Sequence, residues 1–175
     1  IVVLLAVLAA FGWFISVSNK LNRLGVICDE SLADIDVALQ KRHDELTKIM
    51  GAVKGYAKHE KETQFEAVKL RSGMSMSERN DAIAAMDKNE GMINILAENY
   101  PQLRASENFS QFQVAIADCE EHLQASRRCF NNAVSTINQM IVTFPQSVVA
   151  NMKHLTKKDF LKVDEESKKD VVVDF

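Results

Sequence analysis

The side chains able to do chemistry are few and lie far apart. None of the four histidines (His43, His59, His122 and His154) has a glutamate three residues before it. The Glu-x-x-His pairs that hold two metal ions between facing helices are therefore missing. There is no His-Glu-x-x-His, no Cys-x-x-Cys, no glycine-rich phosphate loop, no nucleophile elbow and no kinase signature. Cys119 and His122 lie three apart, so a helix would put a thiol and an imidazole on one face. A zinc site needs further ligands, and none line up with them. Cys119 also falls on an apolar seam, where a thiol serves as a small hydrophobic group. Glu120 and Glu121 beside it read as a solvated face. The expectation is no catalytic residue, no metal ligand and no cofactor.

Arg42 is the residue whose type disagrees with its place. It sits between Leu39 and Leu46 on a seam that is otherwise apolar. It can snorkel, with its stem covered and its head in water. It can instead pair in the interior with Asp36, Glu90 or a carboxylate of a neighbouring copy, and pairing is the expectation. Asn131, Asn132 and Asn138 lie near another seam, where interhelical amide hydrogen bonds are expected. His59 and Glu60 fit either an exposed helix surface or a packing contact to the Tyr100-Pro101 region.

Long helices must position these residues. Leu21, Leu24, Cys28, Leu32, Ile35, Leu39, Leu46, Ile49, Val53 and Tyr56 are spaced by three or four, broken only at Arg42, the seam of a helix packed along its length. With only glycines interrupting, one helix is predicted from the N-terminus to about Arg71, roughly 100 Å at 1.5 Å per residue, with Gly73 as its C-cap. Ser75-Met76-Ser77-Glu78 is a capping box that opens a second helix along Ile83, Met86, Glu90, Ile93, Ala97 and Tyr100, stopped by Pro101. A short link over 102–105 leads to Ser106, the N-cap of a third helix. Its seam runs Phe109, Phe112, Ile116, Cys119, Leu123, Ser126, Phe130, Ala133, Ile137, Met140 and Phe144 without a slip, and Pro145 ends it. Val148, Val149 and Met152 predict a short helix, and Thr156 a cap for another through Phe160 and Val163. The predicted fold is all-α: an N-terminal transmembrane helix continuous with a long helix, in an elongated antiparallel helical bundle. The divisions are an anchor over 1–19, a bundle over 20–155, and a tail over 156–175 whose Val-Val-Val-Asp-Phe end docks. Arg42, Tyr56, Phe109, Phe112, Phe130 and Phe144 are the expected inter-helix or inter-subunit packing residues.

Residues 1–19 contain no charge, and Ile1 to Val17 is an apolar run broken only at Gly12. Eighteen helical residues rise about 27 Å, close to the hydrocarbon thickness of a bilayer. Trp13 and Phe14 suit the headgroup level, and Lys20 and Arg23 follow as anchors. Ser16-Val17-Ser18 would also pass for a signal-peptide cleavage site, but the segment is read as a retained anchor. The chain starts without Met, so residues upstream of Ile1 are expected. Lys20 and Arg23 precede the first acid, Asp29, which puts the bundle on the cytoplasmic side of a single-pass membrane protein. A net charge of −3 with no basic stripe excludes nucleic acid as a partner. Three cysteines at unpatterned spacings suit reduced thiols. The two prolines and six glycines argue for long helices over a loop-rich β domain. The expected partners are the lipid bilayer, further copies of the chain in a homo-oligomer, and other membrane-associated proteins.

Four stretches taken together resemble the LemA family of bacterial membrane-anchored helical proteins. They are Asp34-Ile35-Asp36-Val37 with Lys41-Arg42, and Val53-Lys54-Gly55-Tyr56-Ala57-Lys58-His59-Glu60. The third is Glu98-Asn99-Tyr100-Pro101-Gln102-Leu103-Arg104-Ala105 with Glu107-Asn108-Phe109. The fourth is Arg127, Phe130-Asn131, Asn138 and Phe144-Pro145, closed by Val173-Asp174-Phe175. Phe130 and Ile137 stand where the family pattern has Tyr, which keeps packing and removes a hydroxyl. The resemblance implies an antiparallel bundle on one N-terminal membrane helix, with that terminus outside the cytoplasm. It implies no catalytic activity; some relatives take part in magnetosome formation, so a membrane-organising structural protein is the expected function, with a partner-binding adaptor or sensory bundle as the alternative.

Overall fold

A computed structural model describes residues 1–56, 65–71 and 73–161. Five helices follow in order: α1 (Val2–Tyr56), α2 (Met76–Asn99), α3 (Pro101–Arg104), α4 (Glu107–Val142) and α5 (Gln146–Met152). No strand occurs among the described residues. The all-α expectation holds, and local chemistry accounts for most boundaries. The Ser75 hydroxyl accepts from the Glu78 N–H while the Glu78 carboxylate accepts from the Ser75 N–H, closing the capping box that starts α2. The Ser106 hydroxyl accepts from the Phe109 N–H at the start of α4. Residues 102–105, expected as a link, instead form most of a single helical turn with Pro101 at its first position, where the missing N–H costs nothing.

The chain divides into two compact units. The first joins Ile1–Ile35 to Gln124–Phe160. Val17 and Leu21 of α1 share a core with Met140 of α4 and Val149 and Ala150 of α5, with Phe14, Leu24, Ile141 and Leu155 packed around it. Cys28 and Ile35 are fully buried, as are Phe130, Ala133, Val134 and Ile137 to within a few per cent. Residues 155–161 are not helical, so Thr156 caps no helix within the described residues. Asn138 gives the reason: its side chain accepts from the Lys158 N–H and donates to the Lys158 carbonyl, both at 2.9 Å. The docking Val171–Phe175 end and Val163 lie outside the described residues.

The second unit is Asp36–Leu123 with Leu161. Here α4 runs antiparallel to α1, since Lys41 meets Asp118 while Ile49 and Ala52 face Gln111 and Asn108. α2 runs parallel to α1: Asp36 pairs with Arg79, and six residues further on Arg42 pairs with Asp87 and Glu90. That parallel step follows from a correction. The helix predicted through Arg71 is described from Val2 to Tyr56, and residues 65–71 are non-helical, so it does not reach Arg71. Residues 65–71 lie alongside α1 and α2, with Glu66 at Asn89, Arg71 at Glu78, and Leu70 and Arg71 near Asp36 and Gln40. Asn89, 1% exposed, accepts from the Glu66 N–H at 2.8 Å and donates to the Glu66 carbonyl at 3.0 Å. One side-chain amide thus supplies both backbone bonds that a helix would have given this residue. Gly73, at φ +73, turns the chain into the α2 cap instead of ending α1.

Candidate functional site

The apolar seams bury as their spacing requires, and this places charge inside. On α1, Cys28, Ile35, Leu39, Leu46, Ile49 and Val53 are at most 3% exposed, and Arg42 is buried with them at 3%. Its Nη2 lies 2.7 Å from both Asp87 Oδ1 and Glu90 Oε2, and its Nη1 lies 2.8 Å from Glu120 Oε1. One guanidinium on α1 therefore meets two carboxylates on α2 and one on α4. Burial works against its charge, but the Glu90 hydrogen bond and the charges of Glu120 and Asp87 outweigh burial and raise its pKa. Of the partners foreseen for Arg42, Glu90 is correct. Asp36 is engaged elsewhere, and Glu120 belongs to this cluster and not to a merely solvated face.

Asp36 holds Arg79, a residue that sequence reasoning missed. The Arg79 Nε and Nη2 donate to the two Asp36 oxygens at 2.7 Å each, and its Nη1 donates to the Met74 carbonyl. This two-point fork is the strongest geometry available to an arginine–carboxylate pair. A signal for it exists, because Arg79 lies four residues before Ile83 on the α2 seam. Asn89 likewise precedes Ile93 by four. Lys41 and Asp118 add an exposed bridge beside Arg42; their hydrogen bond raises the lysine pKa and lowers that of the aspartate.

The remaining candidates resolve individually. Phe109, Phe112 and Phe130 are 3–4% exposed, and the first two rings stack tilted with centroids 6.0 Å apart. Phe144 lies outside the core at 80% exposure, because α4 has already ended at Val142. Tyr56 is the last residue of α1, and its side chain falls outside the described set, as do His59 and Glu60. Cys119 is buried, and burial raises its thiol pKa. His122 points outward and meets Asp118 at 3.5 Å. Among the described residues, no three His, Cys, Asp or Glu side chains are grouped to hold a metal ion. A shallow groove between α1 and α4, lined by Glu45, Lys48, Asn108 and Gln111 with Ile49 and Phe112, has charged groups that pair locally, Lys48 with Glu45 at 2.7 Å.

The other notable surface is the start of α1. Ten large apolar side chains between Ile1 and Ile15 are exposed, Trp13 at 38% and the others more so. Only 6% of the 18-residue stretch long and apolar enough to cross a membrane is buried within the chain. A core helix of a water-soluble protein would be covered. Each such side chain gains about 1.5–3 kcal/mol on leaving water, so transfer of the run to an apolar environment is favourable. Phe14 is partly covered by the first unit's core, while Lys20 is exposed, as is Arg23.

The model of the LemA family matches residues 31–175. The chain is 28% identical over 142 residues to Protein LemA of Metamycoplasma hominis, an alignment covering 78% of this chain. It spans 65% of that protein, under two thirds of its length. The family match takes in the arginine–carboxylate cluster, both asparagine clamps and all of α2 to α5, and the chain belongs to the LemA family.

Proposed function

We propose that this is a non-enzymatic structural protein of the bacterial cell membrane, held by α1 as a single-pass anchor with its bundle on the cytoplasmic side. The observation that carries this reading is the bare apolar surface of Ile1–Ile15 on a helix that continues without a break into ion-paired, closely packed units. Lys20 and Arg23 at the end of the apolar run favour the cytoplasmic side. The charged interior is spent on joining helices: Arg42 meets carboxylates of α2 and α4, and Arg79 donates to Asp36 of α1 and to the Met74 carbonyl.

Self-assembly belongs to this reading through the membrane helix. The α1 seam from Leu21 to Val53 finds its partners within one chain, so that seam supplies no reason for a second copy. The exposed apolar run is the surface left for contacts with further copies and other membrane proteins. The test is the mass of the particle extracted in detergent, with the detergent contribution subtracted. A defined multiple of the chain supports a homo-oligomeric scaffold that organises the membrane. A monomer overturns self-assembly and favours an adaptor that binds a partner protein. Recovery of the chain in the soluble fraction after carbonate washing overturns the anchor itself.

A further inference from the structure

We propose that the corner joining α4 to α5 is a second membrane contact, seated in the boundary between headgroups and acyl chains of the same bilayer that α1 enters. This rests on the anchor reading above. Four large apolar side chains along the corner are exposed: Val142 at 60% exposure, Phe144 at 80%, Val148 at 48% and Met152 at 64%. Val148 and Met152 are one turn apart on α5 and share a face. The occupant follows from where the corner is fixed. Met140, Ile141, Val149 and Ala150 pack on Phe14, Val17 and Leu21, and Phe14 and Val17 belong to the apolar run itself. The corner therefore lies level with the last turn of that run. Whatever medium surrounds the end of the span also meets Phe144.

Polar groups at the corner agree with an interfacial position. The Lys153 ammonium donates to the Asn22 side chain at 2.7 Å, placing a cation beside Lys20 and Arg23. A cation next in sequence to the exposed Met152 matches the chemistry of the headgroup region.

The experiment uses the full chain in phosphatidylcholine nanodiscs with bromine on the upper acyl carbons, which quench nearby indoles. Trp13, the single native tryptophan, reports the span. Phe144→Trp and, as a control, Val26→Trp are each made with Trp13→Phe; Val26 is exposed on α1 about 13 Å beyond Val17. Brominated lipid is expected to quench Trp13 in the parent and the indole of Phe144→Trp, and to spare Val26→Trp. If Trp13 is quenched and Phe144→Trp is not, the corner proposal is overturned and the anchor stands. An unquenched Phe144→Trp whose emission shifts to shorter wavelength with protein concentration assigns the corner to a second copy, which also overturns it. An unquenched Trp13 overturns the anchor and this inference together.

Discussion

Replacing Arg42 by methionine removes the cation and keeps an unbranched stem that fills much of the same space. Three carboxylates then face one another where one guanidinium stood. Loss of the charge-assisted hydrogen bond to Glu90 costs about 1.5–3 kcal/mol. Breaking a fully buried pair costs about 3–5 kcal/mol, because the partner charge is stranded. The carboxylates are not fully buried: Glu90 is 26% exposed, Glu120 33% and Asp87 46%. They regain water when the cation goes, which discounts the upper figure and puts Arg42→Met at about 2–3 kcal/mol. Urea unfolding of the full chain in detergent, followed by helical circular dichroism, measures this as a fall in midpoint. The diagnostic is a sign reversal. Glu90→Gln is expected to destabilise the parent and to stabilise the Arg42→Met chain, where it removes one of three repelling charges. Equal effects of Glu90→Gln in both backgrounds would refute the coupling and return Arg42 to a snorkelling residue. An Arg42→Leu chain that melts higher than the parent would show that the buried ion pairs are dispensable for stability.

Asn89→Leu is expected to cost about 2–3 kcal/mol by leaving the Glu66 backbone without its two partners, and to speed hydrogen exchange at the Glu66 amide. If that amide exchanges at an unchanged rate, the clamp does not hold the return segment. The Glu78 carboxyl, bonded to the Ser75 N–H and to Arg71, is lowered from 4.5 to about 2. A depressed carboxylate stabilises the fold above its unfolded pKa and loses that contribution as pH falls through the folded value. The thermal gap between the parent and Glu78→Gln is therefore expected at pH 7 and to close between pH 4.5 and 2. Cys129 is exposed, while Cys28 and Cys119 are buried with pKa values raised by burial. A maleimide is expected to modify Cys129 in the native chain and the other two only after unfolding, as read by mass spectrometry. In intact cells, an impermeant maleimide that reached Cys129 would place the bundle outside the cytoplasm.

The sequence reveals the seams and not the return path between them. Spacing by three or four from Leu21 to Val53, and from Phe109 to Met140, names almost all the buried positions, because a helix packed on one side can bury only one stripe. Arg42 is legible for the same reason, as a charge on that stripe. Its partners are only half legible, since Glu90 lies on the α2 stripe while Asp87 and Glu120 approach from the partly exposed flank. The non-helical course of residues 65–71 had no comparable signal. Residues 65–71 contain no proline, and what keeps them from helix is an amide from Asn89, 23 residues further on. Propensity is local, and that hydrogen bond is not. Asn138 repeats the lesson: three asparagines near a seam suggested helix-to-helix bonds, yet this one captures a backbone stretch at Lys158.

The core of the first unit also dictates an order of events during synthesis. Its contacts tie the beginning of the chain to the end, with Lys153 reaching Asn22 across 131 residues, while Arg42 and Glu90 are only 48 apart. Closing the longer loop costs only about 0.9 kcal/mol more by chain entropy, so the penalty is small. The delay is what matters. Asp36–Arg79 and Arg42–Glu90 can form while α4 is still being made, whereas Val17 and Leu21 must wait for Val149 and Ala150 to leave the ribosome. For that interval the part of α1 next to the apolar run has no partner from its own chain, the exposed state most prone to aggregate. On the proposed anchor, the bilayer gives that helix somewhere to wait.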